Sequence, residues 1–180
     1  MSLPQKQYTS QDSWNLPEGQ RAELINGQIY NMAPPSRLHQ KLVGELYTII
    51  NNYIKSHQGS CQVYPAPFAV NLDADDKNWV EPDISVICNP GKLTDRGCSG
   101  APDLIIEILS PSSRKMDYIT KNALYSDAGV REYWIVDPQK ETTMVYHFEV
   151  DAAPTIYPFD VLIPFGIFPE LTVTISKLLE

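Results

Sequence analysis

Three short segments rich in Val and Ile follow one another in the middle of the chain, and they restrict the possible fold more than any other feature. They read CQVYPAPFAV from Cys61, EPDISVIC from Glu81 and DLIIEILS from Asp103. Polar or glycine-containing loops separate these runs, and such runs are typical of β-strands. We therefore predict three consecutive strands.

A hairpin and a long helix are predicted before these strands. Asn26 and Gly27 divide two short runs, and this dipeptide best supports a two-residue type I′ turn, so residues 21–32 should form a β-hairpin. Apolar residues recur at helical spacing after Ser36, which suits the N-cap position. This helix should end near residues 57–59.

A second helix and further strands are predicted after them. A helical stripe begins near Met116 and is stopped by Gly129. The aromatic runs EYWIVD and TTMVYHF then predict two strands, and the tail from Val161 predicts a strand and a short terminal helix. In this order the elements indicate an α/β (α+β) fold, with a mixed central sheet flanked by helices and an N-terminal β-hairpin.

Composition restricts the class of protein. The chain has 180 residues, 43% hydrophobic and 20% charged, which suits one globular domain over residues 1–180. No apolar run approaches the roughly 18 to 20 residues that a membrane span needs, and the first residues lack the apolar core of a secretory signal. We expect a cytoplasmic protein with no membrane partner.

The three cysteines and the net charge add two further expectations. Cys61, Cys88 and Cys98 are odd in number and irregularly spaced, so we expect them to be reduced core or loop residues. A net charge of −8 disfavours broad contact with nucleic-acid phosphates. Any DNA site must therefore use a local basic patch or a bound metal ion.

Two carboxylates interrupt apolar strands. In DLIIEILS, Ile105, Glu107 and Leu109 point to one face of the strand, so Glu107 lies inside an otherwise apolar segment. Asp83 enters a similar apolar run on the strand predicted beside it. A buried ionised carboxylate is costly unless a cation, a metal ion or a raised pKa compensates for it. Mg²⁺ is typically held by one or two carboxylates, so this pair suits it.

The helix that follows carries residues able to reach these acids. Asp117, Lys121 and Tyr125 are spaced by four residues and so share one helix face. A purely structural interpretation remains open at this point. In it, Asp83 caps a turn, Glu107 forms a structural ion pair, and Lys121 pairs with Asp117 along the helix.

Six segments of the chain form a recognisable set. They read AELINGQIYNM, PPSRLH, EPDISVI, APDLIIEILSPSS, DYITK and AGVREYWIVDP. Together they resemble the Uma-two family of restriction-endonuclease-like proteins, which looks like a branch of the PD-(D/E)XK nuclease superfamily. The resemblance covers the chain from about Tyr8 to the C-terminal helix.

The resemblance implies a mixed four-stranded central sheet and Mg²⁺-dependent phosphodiester cleavage, with Mn²⁺ as the alternative ion. It assigns Asp83 and Glu107 as the two catalytic and metal-binding acids, with the backbone carbonyl of Ile108 as a further ligand. The superfamily's usual lysine lies two residues after the second acid, where this chain has Leu109. The resemblance therefore implies that Lys121, on the following helix, replaces it.

Further residues follow from the same resemblance. Glu23 in the hairpin and His39 near the start of the first long helix occupy family-typical positions, and Asp117 and Tyr125 are auxiliary candidates. For His39 a structural role is an equal alternative. The predicted partner is DNA, and the candidates for phosphate contacts are Arg37, Lys41, Arg114, Lys115 and Arg131, with a solvated surface charge as the alternative for each.

Two other functions are weighed against a metal-dependent endonuclease. The first is a catalytically inactive nucleic-acid-binding or protein-interaction module on the same fold; the presence of both acids and a reachable lysine argues against it. The second is a cysteine or zinc enzyme that uses His39, His57 or His147, but no pair has the required spacing. A homodimer is expected if both strands of a duplex are cut.

Overall fold

The computed structural model describes residues 6–111, 113–150 and 152–180. No helix within these ranges is both long and apolar enough to cross a membrane. The helical segments of the described chain are α1 (Ser10–Trp14), α2 (Arg37–Ser56), a π-helix (Met116–Lys121), α3 (Asn122–Ala128) and two 3-10 helices (Pro90–Lys92 and Ile175–Leu178).

Two six-stranded sheets and one two-stranded sheet form the rest of the regular structure that is described. The strands are β1 (Ala22–Ile25), β2 (Gln28–Asn31), β3 (Gln62–Pro65), β4 (Val70–Asn71), β5 (Trp79–Val80), β6 (Ile84–Ile87), β7 (Leu93–Thr94), β8 (Gly97–Ser99), β9 (Leu104–Ile108), β10 (Glu132–Asp137), β11 (Thr142–His147), β12 (Thr155–Pro158), β13 (Ile163–Pro164) and β14 (Thr172–Val173). The main sheet has the order β12-β11-β10-β9-β6-β3, and the second sheet has the order β2-β1-β5-β4-β8-β7.

The main sheet is mixed, as predicted, because β9 and β10 run parallel, whereas the other four pairs of neighbouring strands are antiparallel. It has six strands rather than the four that the resemblance implied. The two additional edge strands are β12, which pairs with β11, and β3, which pairs with β6. The α/β (α+β) class is confirmed.

The central strand β9 is buried along its whole length and separates two apolar clusters. Ile106 and Ile108 pack on one side with α2 and the C-terminal segment. Ile105 packs on the other side with Tyr125 of α3 and with residues of the second sheet. Fully burying one such isoleucine side chain contributes roughly 1.5 to 3 kcal/mol. Glu107 faces the same side as Ile105 and is therefore aimed at the layer that holds α3.

The predicted hairpin and first long helix are confirmed, and their local causes are visible. Asn26 and Gly27 both have positive φ angles, 49° and 73°, as a type I′ turn requires, and Ile25 pairs with Gln28 across the turn. Ser36 caps α2 by accepting a hydrogen bond from the backbone N–H of His39 at 3.2 Å.

Other elements differ from the prediction. The run from Cys61 is not one strand: β3 joins the main sheet, whereas β4 joins the second sheet. The sequence did not predict the strands β5, β7 and β8 of the second sheet, the helix α1 or the edge strand β12. Each has too few residues to show a clear apolar period. The tail forms two very short strands and ends in a 3-10 helix. The predicted strands EYWIVD and TTMVYHF are confirmed as β10 and β11.

The prediction that all three cysteines are reduced is wrong for two of them. Cys61 and Cys88 form a disulfide bond, and Cys98 is free and buried. The pairing of β3 with β6 explains the bond, since Gln62 lies opposite Ile87 and the cysteines occupy the next position of the same register. Sequence spacing alone does not reveal this proximity, because it depends on which strands are neighbours.

Candidate active site

Asp83 lies directly before β6 and contacts the end of β9. The regular pairing of β6 with β9 ends at Ile84 and Ile106. The backbone N–H of Ile108 therefore donates to the carboxylate of Asp83, at 2.7 Å from Oδ2. The same Oδ2 atom lies 3.1 Å from Nε2 of His39. These contacts fix the carboxylate between the central strand and the first turn of α2.

Glu107 extends from β9 into a nearly closed environment, where its side chain is 5% exposed. Its Oε1 atom accepts hydrogen bonds from Nζ of Lys121 at 2.8 Å and from the hydroxyl of Tyr125 at 2.7 Å. Its Oε2 atom is 3.4 Å from the backbone nitrogen of Asp83. Burial raises the pKa of Glu107 well above its ordinary value, and the ammonium group of Lys121 acts in the opposite direction.

Lys121 joins carboxylates from three parts of the fold. Its Nζ atom is 2.8 Å from Glu107, 2.9 Å from Glu23 and 3.6 Å from Asp117. Burial by itself lowers the pKa of Lys121, but these three carboxylates together outweigh it and hold the pKa well above its ordinary value. Lys121 therefore remains protonated at neutral pH and acts as a cation rather than as a base.

Glu23 and Asp117 complete this ionic cluster. Glu23 comes from β1 of the second sheet, and its Oε1 atom also accepts a hydrogen bond from the backbone N–H of Glu81 at 2.9 Å. Asp117 is buried, and this burial raises its pKa despite the attraction of Lys121. The cluster thus unites the second sheet, the central strand of the main sheet and the helical segment that follows.

The helical segment that carries Asp117 and Lys121 is a π-helix, not the α-helix expected from the four-residue spacing. The hydroxyl of Tyr133 on β10 donates to the backbone carbonyl of Asp117 at 3.2 Å and holds this turn against the sheet. Irregular turns of this kind occur frequently at functional sites. Sequence reasoning missed Tyr133, whose only signal was its place in an aromatic buried strand beside the Glu107 strand.

His39 faces Asp83 with one ring nitrogen and the protein interior with the other. The Nδ1 atom is buried and has no hydrogen-bond partner among the described residues. With the ring hydrogen on Nε2, His39 donates to Asp83 and only a lone pair is left at Nδ1. Burying an unpaired lone pair costs less free energy than burying an unpaired N–H. His39 thus positions Asp83.

The candidates for phosphate contacts separate into two groups. Arg114 forms two hydrogen bonds with the buried carboxylate of Asp137, at 2.7 and 2.6 Å, so its guanidinium group is already engaged. Arg131 is engaged with Asp103 and Glu149. The remaining candidates form no ion pair with the described residues and are exposed or half-exposed: Arg37, Lys41 and Lys115. These three flank the first turn of α2 and the start of the π-helix.

The donor atoms fit Mg²⁺ better than they fit zinc. Within residues 6–111, 113–150 and 152–180, no group of three or more His, Cys, Asp or Glu side chains is arranged to hold a metal ion. Asp83 and Glu107 are adjacent, and Oδ1 of Asp83 accepts no hydrogen bond from any residue described. A pair of carboxylates that leaves the remaining ligands to water and substrate phosphate is the usual protein contribution to a Mg²⁺ site.

The alternative zinc or cysteine chemistry finds no support in the described residues. His57 lies on the surface, stacked against Tyr53 and 3.5 Å from Glu170. His147 lies on β11, and Cys98 is buried in the apolar cluster beside the second sheet. No hydrogen bond joins His39, His57 or His147 to a cysteine within the part of the chain that the structure describes.

Known proteins are similar to this chain over most of its length. The sequence profile of the Uma2 family, described as "Putative restriction endonuclease", matches residues 6–176. An uncharacterized protein of Synechocystis sp. is 27% identical over 135 residues, which cover 74% of this chain and 70% of that relative. The crystal structure of "a putative nuclease belonging to DUF820" from Anabaena variabilis is 27% identical with a TM-score of 0.75, and the match covers 94% of this chain and 96% of the other.

Proposed function

Because this chain belongs to the Uma2 family, whose match spans residues 6–176, we propose that it is an endonuclease that hydrolyses DNA phosphodiester bonds with Mg²⁺ as its cofactor. One observation carries the proposal. Asp83, Glu107 and Lys121 are distant in sequence but lie within one hydrogen-bonded cluster. Two acids and a lysine are the groups that the nuclease chemistry of this superfamily requires.

Asp83 and Glu107 are the proposed metal ligands, with the backbone carbonyl of Ile108 as the third. A bound Mg²⁺ supplies Lewis acidity toward a phosphoryl oxygen, and Mn²⁺ should replace it. Asp83 is held for this role by the N–H of Ile108 and by His39. Glu107 is held by Lys121 and Tyr125.

Lys121 is proposed to orient the attacking water and to stabilise the negative charge that develops on the phosphoryl group. Its pKa well above the ordinary value supports this role, because a lysine that stays protonated is a hydrogen-bond donor throughout the reaction. Glu107 and Glu23 take two of its three donors, and the third, on an Nζ atom only 3.6 Å from Asp117, is the one proposed to contact substrate. Tyr125 contributes by holding the same carboxylate oxygen from a second direction.

The charge of the site implies an order of binding. Glu23, Glu107 and Asp117 surround Lys121, Asp83 lies beside Glu107, and the whole chain has a net charge of −8. A DNA phosphate approaching this cluster is repelled until a divalent cation offsets the carboxylates. We therefore expect metal binding to come before DNA binding, with Arg37, Lys41 and Lys115 as the phosphate contacts around the site.

The direct test is cleavage of supercoiled plasmid in Mg²⁺, Mn²⁺ or EDTA. Wild type is compared with Asp83→Asn and Lys121→Ala, and with the exposed controls Asp160→Asn and Lys177→Ala prepared in the same way. Nicking that depends on metal, is lost in both site variants and is retained in both controls is expected. Absence of cleavage by wild type in either metal contradicts the proposal and favours a non-catalytic module on this fold.

We propose two further properties for a protein that cleaves DNA. The first is a homodimer, which would bring two sites to the two strands of a duplex, and the second is a cytoplasmic location, where cellular DNA is accessible. Sedimentation of the protein with and without duplex DNA tests the first. A species of one chain that nicks a single strand at each event would contradict the dimer while leaving the nuclease activity intact.

A further inference from the structure

A small cleft lies between α1 and the second sheet. Its volume is about 160 Å³. Two tryptophans line it together with aliphatic side chains, and an ion pair between Arg21 and Glu81, at 2.6 Å, lies on its lining. The apolar residues on the lining include Trp14, Leu16, Trp79 and Val80.

The cleft adjoins the ionic cluster through shared chain segments. Arg21 lies two residues before Glu23, and Glu81 lies two residues before Asp83. At about 3.3 Å per residue, Arg21 and Glu81 are each within about 7 Å of a site acid along the backbone. The backbone N–H of Glu81 also donates directly to Glu23. The lining of the cleft therefore shares chain segments with two of the site acids, Glu23 and Asp83.

The two indole rings are held in a fixed arrangement. The ring centroids of Trp14 and Trp79 are 4.9 Å apart, and the ring planes are nearly perpendicular at 86°. The indole N–H of Trp79 donates to Asp76 at 3.1 Å, and the guanidinium group of Arg96 lies 4.3 Å from the ring centroid of Trp14. Trp14 is nevertheless 39% exposed, which is a large apolar exposure for a group in a folded protein.

Size and charge identify the class of ligand. A cavity of roughly 150 Å³ is known to hold benzene, so this cleft accepts one flat ring rather than a large ligand, which occupies roughly 300 Å³ or more. Aromatic walls attract the uncharged face of a ring, whereas the acidic cluster beside them repels phosphate. Bases stack on such side chains in proteins that bind single strands.

We propose that this cleft binds one unpaired nucleobase of the DNA beside the scissile phosphate, an inference that rests on the proposed function. A base inside a duplex cannot enter a cleft, so the nucleotide is either extruded or single-stranded. Base stacking thus supplies affinity that a chain of net charge −8 does not gain from phosphates alone. The inference also predicts that unpaired DNA is preferred over a perfect duplex.

Binding is measured separately from cleavage, with a fluorescein-labelled single-stranded oligonucleotide, with its duplex form, and with Ca²⁺ as the cation. The proteins are wild type, Trp14→Ala, Trp14→Phe and the control Ile156→Ala, whose side chain is 58% exposed on the edge strand β12. Loss of one base–aromatic stack weakens binding by about 5- to 150-fold. We expect this loss in Trp14→Ala, a smaller one in Trp14→Phe and none in Ile156→Ala, with intrinsic tryptophan fluorescence quenched by the single strand.

The outcomes separate this inference from the proposed function. Plasmid cleavage with unchanged single-strand binding by Trp14→Ala overturns the base cleft and leaves the nuclease intact. Binding that depends on Trp14 without any cleavage by wild type supports the cleft and removes the catalytic proposal. Equal affinity of wild type for the single strand and the duplex, or no binding of either, also overturns the cleft. Thermal unfolding of each variant verifies that it is folded.

Discussion

Nζ of Lys121 lies 2.8 Å from Oε1 of Glu107, although the two residues belong to different elements. In the PD-(D/E)XK pattern that the sequence resembles, a lysine follows the second acid on the same strand, where this chain has Leu109, which is buried in an apolar cluster. The π-helix instead places the ammonium group of Lys121 beside the carboxylate of Glu107. Packing between layers, and not spacing along one strand, therefore brings this charge to the acid.

Replacement of Lys121 by Met should lower the free energy of unfolding and make that free energy depend on divalent cations. The change leaves Glu23, Glu107 and Asp117 buried without their cation, and removing one partner of a buried ion pair costs about 3 to 5 kcal/mol. Urea unfolding with and without Mg²⁺ measures both effects, with Lys177→Met as an exposed control. A free energy of unfolding equal to that of wild type would show that the cluster does not need the lysine.

Replacement of Tyr125 by Phe should reduce kcat/KM about tenfold or more. The hydroxyl donates to Glu107 at 2.7 Å, and a hydrogen bond to a charged group contributes about 1.5 to 3 kcal/mol. The matched control is Tyr118→Phe, which removes a hydroxyl that donates to a different carboxylate, that of Asp137, at 3.2 Å. Steady-state cleavage of a labelled oligonucleotide provides the comparison. Equal losses of kcat/KM in the two variants would mean that the Tyr125 hydroxyl supports the fold and has no particular role in catalysis.

Acid denaturation should depend on Asp137. Burial raises the pKa of this carboxyl, but Arg114 and backbone N–H groups outweigh it and hold the pKa below its ordinary value of 3.8. As the pH falls, the unfolded chain takes up this proton first, so the stabilisation is complete above the ordinary pKa and is lost as the pH falls through the lower folded value.

The free energy of unfolding of wild type should therefore decrease more steeply below about pH 4 than that of Asp137→Asn. Denaturant titrations at a series of pH values measure both slopes, and Asp160→Asn is the exposed control. Parallel curves for wild type and Asp137→Asn would mean that the Arg114 contact does not shift this equilibrium.

Thiol labelling should distinguish the three cysteines. Burial raises the pKa of the Cys98 thiol to about 11, so this residue should react very slowly with a thiol reagent in the native protein at neutral pH. Denaturant alone should expose one thiol, and denaturant with reductant should expose three, because Cys61 and Cys88 are bonded to each other. Three thiols without reductant would contradict the disulfide, and Cys98→Ala identifies the single reactive group.

Elements governed by local chemistry were predictable from the sequence. Asn26 and Gly27 determine their own turn through positive φ angles, and Ser36 caps the helix that follows it. The placement of Glu107 on the apolar face of β9 follows from the two-residue period of a strand. The structure also brings Asp83, Glu107 and Lys121 into one cluster, but the position of Lys121 depends on how the π-helix packs against the sheet and not on this period.

Features that depend on partners distant in sequence were not predictable. The run from Cys61 divides between two sheets because its second half pairs with the short strands β5 and β8, which carry no periodic signal. The engagement of Arg114 by Asp137 depends on β10 lying beside the loop that follows β9. A sequence pattern indicates that an arginine is charged, but not whether a buried carboxylate already binds it.

The ion pair between Glu23 and Lys121 joins an early part of the chain to a much later one. A ribosome that adds about 5 to 20 residues per second makes these two residues about 5 to 20 s apart. During that interval the hairpin carries its carboxylate without the cation that neutralises it. The ionic cluster is therefore assembled only after Lys121 has been synthesised, and a truncated product that ends before the π-helix lacks it.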